Sequence, residues 1–140
     1  MSADCVFCRI IAGEIPAVLV YEDERTIALM DIGPVVKGHT LVIPKAHHNP
    51  LVNTPVAVLQ DLIAVVQRIA AAQIAGLNAD GVNVTQANGK AAGQIVPHIH
   101  FHVIPRFDVD GQHGNWVPKK YDSPDEMKSY AARIKAALRP

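Results

Sequence analysis

The sequence predicts an α+β domain: a five-stranded antiparallel sheet with one long central helix and a C-terminal helix. Three observations carry this. Five short runs rich in β-branched and aromatic residues are spread along the 140 residues. One long stretch with helical apolar spacing separates the third run from the fourth. The links around the first runs are short and polar, which favours hairpins over crossovers and so antiparallel pairing. The length suits a single domain over residues 1–140, large enough to bury a core.

The elements follow in chain order. "VFCRIIAG" (6–13) reads as a short helix stopped by Gly13. "VLVYED" (18–23) and "TIALMDI" (26–32) flank a polar turn and form a hairpin, "GPVVKG" (33–38) is a loop, and "HTLVIPK" (39–45) is a strand ending at Pro44. The central helix runs from Pro55 to Gly76, with Thr54 as N-cap, Pro55 in the first helical position and Gly76 as the stop. Val58, Leu62, Val65, Val66, Ile69 and Ile74 make its apolar stripe. A fourth strand covers 81–87, a glycine-containing loop 88–94 and a fifth strand 96–105. A loop with Trp116 leads to a helix opened by Ser123 and Pro124, which carries Met127, Tyr130, Ile134 and Leu138.

Apolar residues make up 49% of the chain and charged residues 19%, a globular composition. Thirteen basic residues balance thirteen acidic ones, so no nucleic-acid groove or anionic membrane surface is expected. No apolar run reads as long enough to span a bilayer. The N-terminus lacks the basic start and apolar stretch of a signal peptide, and the chain is expected to be cytoplasmic. Its two cysteines, Cys5 and Cys8, are spaced C-x-x-C; in a reducing compartment this suggests a metal or redox pair before a disulfide.

The most informative stretch is "VPHIHFHVIP" (96–105), where His98, His100 and His102 stand at every second position. On a strand they share one face, left open or lining a cleft, while Ile99, Phe101 and Val103 face the core. Same-face neighbours on a strand lie about 6.6–6.8 Å apart, so two adjacent histidines can converge on one ion, but three only if the strand bends sharply. At least one histidine is left for other work. A neutral imidazole can be a nucleophile or an acid–base at neutral pH, and can attack phosphorus to form a phosphoramidate that water resolves. The preceding loop "NGKAAGQ" offers Asn88, the backbone around Gly89 and Gly93, and the Gln94 amide as anion donors. Cys5 and Cys8 suit one half of a tetrahedral zinc site.

"PHIHFHVIPR" (97–106) resembles the signature of the histidine triad (HIT) family, and "CVFCRIIAGEIPA" (5–17), "YEDERTIALMDI" (21–32), "KGHTLVIPKAH" (37–47) and "NGKAAGQ" (88–94) resemble its other blocks, in family order. The branch resembled is the Hint-like, zinc-containing bacterial one, which includes nucleotide phosphoramidases and related hydrolases. The resemblance implies a homodimer whose sheets join into ten strands. It implies His100 as nucleophile toward the α-phosphate of a purine nucleotide conjugate, through a nucleotidyl-histidine. His102 would stabilise charge on the phosphate oxygens, and His39 would support the triad from a neighbouring strand. Asp31 would accept from the ribose hydroxyls. Ile32, Phe7 and Ile10 would hold the base, and Asn88, Gly93 and Gln94 would contact phosphate. One departure is Ile95, which stands where some Hint proteins carry a serine near the leaving group.

The resemblance also completes the metal set: Cys5, Cys8, His47 and His98 would hold one structural zinc per chain, with no organic cofactor. Three rival functions stay open: a dinucleoside polyphosphate hydrolase, a purine-nucleotide-binding regulatory protein with incidental catalysis, and a zinc-dependent hydrolase. The last needs an open coordination position and a carboxylate, for which Asp108 and Asp110 stand past the strand.

Overall fold

The computed structural model describes residues 4–110 and 116–139. Helix α1 (Val6–Ile11) precedes β1 (Leu19–Glu22), β2 (Thr26–Met30) and β3 (Thr40–Pro44). Then come α2 (Val56–Leu77), β4 (Gly81–Thr85), β5 (Phe101–Arg106) and α3 (Pro124–Ala137). The five strands form one sheet in the order β1-β2-β3-β5-β4, with every neighbouring pair antiparallel. This is the predicted architecture.

The alternation of β2 and β3 divides the core between the two faces of the sheet. Ala28, Met30 and Val42 point to α2 and α3, where they meet Leu62, Val66, Ile69 and Ile134. Ile27, Leu29, Leu41 and Ile43 point the other way, against Cys5, Phe7 and Cys8 around α1. Each fully buried Ile or Leu contributes about 1.5–3 kcal/mol to this packing. Leu41 is the register partner of His102, which places His102 on the α1 face. The histidines thus lie opposite the helical layer that carries most of the apolar core.

Several boundaries differ from the sequence reading. Helix α2 passes through Gly76 and is capped by Asn78 in the left-handed region. A Cβ on Gly76 would sit 2.5 Å from the Arg133 carbonyl oxygen, so its glycine serves the close approach of α3 and not the helix end. Thr54 does not cap α2: Pro55 is the N-cap residue, and the Thr54 hydroxyl donates to the Pro50 carbonyl at 2.8 Å. Ile74, assigned to the apolar stripe, is 52% exposed, whereas the neighbouring polar Gln73 is fully buried. Helix α2 is also long and apolar enough to cross a membrane by length and composition, against the expectation that no run is; it packs on β2, β3, β4 and β5 as a core helix. At α3 the reading holds, with Ser123 accepting from the Glu126 N–H and Pro124 in the first turn.

The main correction concerns the fifth strand, which starts at Phe101 and not at residue 96. The His98 N–H turns back to the Val96 carbonyl at 2.9 Å, and the Ile99 N–H is taken by the His48 carbonyl at 2.8 Å. The chain therefore bends before the ladder begins. Within the loop that carries Trp116, residues 111–115 lie outside the described residues.

Candidate active site and metal centre

The bend divides the three histidines between two sites. His98 precedes the strand, is fully buried and turns its ring toward the cysteines of α1. This corrects the expectation of one open histidine face. Its Nδ1 lies 3.3 Å from Cys5 Sγ and 3.6 Å from Cys8 Sγ, and His47 Nδ1 lies 3.3 Å from Cys8 Sγ. All four ligand atoms fall within 4.8 Å of one another. A tetrahedral zinc, with Zn–S about 2.3 Å and Zn–N about 2.0–2.1 Å, separates its sulfur and nitrogen donors by about 3.5 Å. The donor set fits that geometry.

The outer contacts fit as well. The His98 Nε2–H donates to the Pro44 carbonyl at 2.8 Å, which leaves the Nδ1 lone pair facing the thiols. Burial holds His98 neutral, with its pKa lowered to about 4. Burial pushes the Cys5 thiol up, so a positive charge between the sulfurs is what would make it a thiolate ligand. Cys5 also caps α1, accepting from the Cys8 N–H at 3.4 Å, so the C-x-x-C spacing fits the first turn of that helix. The ring of His48 is outside this cluster.

His100 and His102 form the second site, with ring centroids 4.9 Å apart. His100 is 8% exposed, and Phe7 from α1 stands edge-on to it at 5.0 Å. Its Nδ1–H donates to the His98 carbonyl at 2.8 Å. That bond fixes the tautomer and leaves the Nε2 lone pair available. Burial lowers the His100 pKa, which favours this neutral form.

His102 carries the opposite tautomer, set by a chain of two hydrogen bonds. The Val35 N–H donates to His39 Nδ1 at 3.1 Å, so the proton of neutral His39 resides on Nε2. His39 Nε2 lies 2.9 Å from His102 Nδ1, to which it donates. His102 then carries its proton on Nε2. Burial keeps both rings neutral, lowering His39 to about 4 against the opposing pull of Asp31, and His102 to about 3. The pair thus presents a lone pair on His100 and an N–H donor on His102. A neutral nucleophile beside a fixed donor is suited to attack on a phosphoryl group.

The remaining predicted residues are distributed as follows. Asp31 is half-buried; Oδ1 accepts from the Gly33 N–H at 2.8 Å and Oδ2 lies 3.4 Å from His39 Nε2. Ile32 is exposed, Ile10 is partly buried against the α1 cluster and Phe7 is buried within it. The Asn88 and Gln94 side chains shape their own loop. Asn88 Oδ1 accepts from the Leu51 N–H at 2.8 Å, and Gln94 joins the Gly89 N–H to Asn49 Oδ1, both at 2.7 Å. Gly93 takes a positive φ of 90° behind the turn at 90–92. Ile95 is 92% exposed. Asp110 is bound by Arg106 at 2.8 Å and by the Phe107 N–H at 2.8 Å, an arrangement that closes a turn.

Trp116, whose sequence context suggested no role, stands edge-on to His102 at 4.8 Å and to His39 at 5.5 Å. Being the sole tryptophan of the chain was its only sequence signal. A surface cleft of about 410 Å³ between the β1–β2 turn and α2 is lined by none of the histidines. Its arginines are already engaged, Arg25 with Asp61 at 3.3 Å and Arg68 with Tyr21 at 3.2 Å.

Comparison with known proteins agrees with this arrangement. The HIT domain model matches residues 12–109. The adenosine 5'-monophosphoramidase HNT1 of Candida albicans is 36% identical over 140 residues, covering 97% of this chain and 92% of that protein. The adenylylsulfatase HINT3 of Arabidopsis thaliana is 41% identical over 110 residues, covering 79% of this chain and 56% of that protein. A zinc-bound histidine triad family protein from Mycobacterium smegmatis superposes with a TM-score of 0.85 at 43% identity, covering 96% of this chain and 93% of that one.

Proposed function

Because this chain belongs to the histidine triad family, we propose that it is a nucleotide hydrolase or transferase acting at the α-phosphate of purine nucleotide conjugates of the nucleoside phosphoramidate type. The observation that carries this reading is the opposite polarity of two adjacent imidazoles, His100 offering a lone pair and His102 an N–H.

His100 Nε2 attacks the α-phosphorus, forming a P–N bond as the bond to the leaving amine breaks, and that amine takes up a proton from water. The imidazole becomes cationic, and the His98 carbonyl on its Nδ1–H stabilises that charge. The His102 Nε2–H donates to a phosphoryl oxygen, where negative charge accumulates. Water then cleaves the nucleotidyl-histidine, releasing the monophosphate and returning the lone pair to Nε2. Asp31 receives the ribose hydroxyls. Ile32, Phe7 and Ile10 hold the purine, and the loop of Asn88, Gly93 and Gln94 lies beside the phosphate. Cys5, Cys8, His47 and His98 would hold zinc, which would supply a structural cross-link between α1 and the approach to β5. The protein acts in the cytoplasm as a homodimer joined into a ten-stranded sheet, and its partner molecule is the purine nucleotide.

Turnover of an adenosine phosphoramidate with AMP release tests this. Wild type is expected to turn over, and His100→Ala to lose activity by at least about 10³-fold while still binding AMP, since the variant lacks the attacking atom. Binding without turnover by wild type would favour the dinucleotide or binding-protein readings. Equal turnover by both proteins would place the nucleophile elsewhere.

A further inference from the structure

Gln73 is a polar residue at the centre of the apolar face of α2, and it is fully buried. Its Nε2 lies 2.9 Å from the Val103 carbonyl oxygen, 3.1 Å from the Gly38 carbonyl oxygen and 3.4 Å from Thr40 Oγ1. The Thr40 hydroxyl proton is committed to the Gly38 carbonyl at 2.8 Å, so all three partners are acceptors. Only the NH₂ end of the amide can face them. The Oε1 end points away and is the one buried side-chain polar atom without a partner among the described residues. An apolar residue of similar length would avoid that penalty.

The contacts fall at particular places. Gly38 and Thr40 flank His39, and Val103 follows His102. Thr40 and Val103 are register partners where β3 meets β5. One side chain therefore binds both strands beside the two histidines whose rings meet at 2.9 Å. Gly38 permits the reach. Its φ is +106°, and a Cβ there would lie 2.6 Å from Leu77 Cδ1, so its backbone lies directly on α2. Its N–H donates on the other side to Tyr121 Oη at 2.9 Å.

We propose that Gln73 is a positioning residue: by donating its two amide N–H groups to the Gly38 and Val103 carbonyls from beneath the sheet, with Thr40 Oγ1 beside them, it holds His39 and His102 in the register that gives His102 its Nε2–H. This rests on the reading that His102 donates to the phosphoryl oxygen. Gln73 touches no substrate, so its loss acts on the chemical step and not on binding.

The test uses Gln73→Met, with Gln73→Leu as a second apolar variant, in the full chain loaded with zinc. Long-range ¹H–¹⁵N spectra of the histidine rings need no substrate. Wild type is expected to show protonated Nε2 on both His39 and His102, and the variants a mixture of tautomers at His102. With an adenosine phosphoramidate, kcat is expected to fall by about 10- to 100-fold with KM within about twofold, at nearly unchanged melting temperature. A wild-type tautomer pattern with wild-type kcat would overturn the proposal. So would a kcat loss that only tracks the folded fraction, or loss of the fold in both variants, which would make Gln73 a stability residue. If wild type does not turn over the phosphoramidate, the proposed function fails, and the ring spectra still decide the role of Gln73.

Discussion

His100 and His102 are the same residue type two positions apart, and one hydrogen bond at His100 and a chain of two ending at His102 give them opposite polarity. The carbonyl of His98 takes the Nδ1 proton of His100, while the N–H of Val35, acting through His39, leaves His102 protonated at Nε2. Both arrangements need neutral rings, which burial supplies. His39 makes this testable as stability. Its pKa is depressed to about 4 by burial, below the ordinary 6.5, so unfolding takes up a proton at acid pH. The stability linked to neutral His39 is fully present above 6.5 and is lost as pH falls towards 4. Melting temperature followed from pH 7 to 4 is expected to fall more steeply in wild type than in His39→Gln. His39 lies outside the candidate zinc set, so acid release of any bound metal contributes to both curves, and the difference reports His39 together with its partner His102. Parallel curves would show that His39 does not carry the effect.

At the scale of elements, two glycines permit close approach. Gly38 brings the loop before β3 onto α2, and Gly76 brings α2 onto α3. At Gly76 a methyl group would lie 2.5 Å from the Arg133 carbonyl oxygen and 3.0 Å from Ala137 Cβ. Backbone on one helix cannot yield as a flexible side chain would, so the helices must move apart. Gly76→Ala is expected to destabilise by about 1–3 kcal/mol, although alanine favours helices, and the histidine site should keep its activity. Denaturant unfolding would measure this; a stabilised variant would show that α3 moves at little cost.

For the whole molecule, the candidate metal centre and the candidate active site meet at one residue, His98. The His98 side chain faces the thiols and its carbonyl orients His100. The Nε2–H bond to the Pro44 carbonyl holds residue 98 independently of any bound metal. Chelation or Cys5→Ser is therefore expected to lower the melting temperature on the order of 10 °C while kcat changes less than threefold. Unchanged zinc content and melting would remove the metal from the account. Assembly is tested separately: β4 is an edge strand, and pairing along it would build the ten-stranded sheet. Sedimentation equilibrium is expected to give twice the 15.1 kDa chain mass. A monomer at micromolar concentration would exclude the joined sheet.

Local pattern by itself determined the strand runs, the three helices, the Ser123 cap and the identity of the chemistry-bearing side chains, because period-2 and period-3.6 apolar spacing and the Cys5, Cys8 and triple-histidine motifs are written in neighbouring residues. Resemblance to a family joined Cys5 and Cys8 to His47 and His98, residues up to 93 positions apart, a ligand set that no local pattern encodes. What tertiary structure alone decided was where those atoms point. The bend at 96–98, the burial of Gln73 in place of Ile74, the true purpose of Gly76 and the position of Trp116 all depend on partners distant in the chain. A tautomer is the extreme case. Whether an imidazole attacks or donates depends on which carbonyl or N–H lies within 3 Å of its other nitrogen, and only the folded chain brings those groups together.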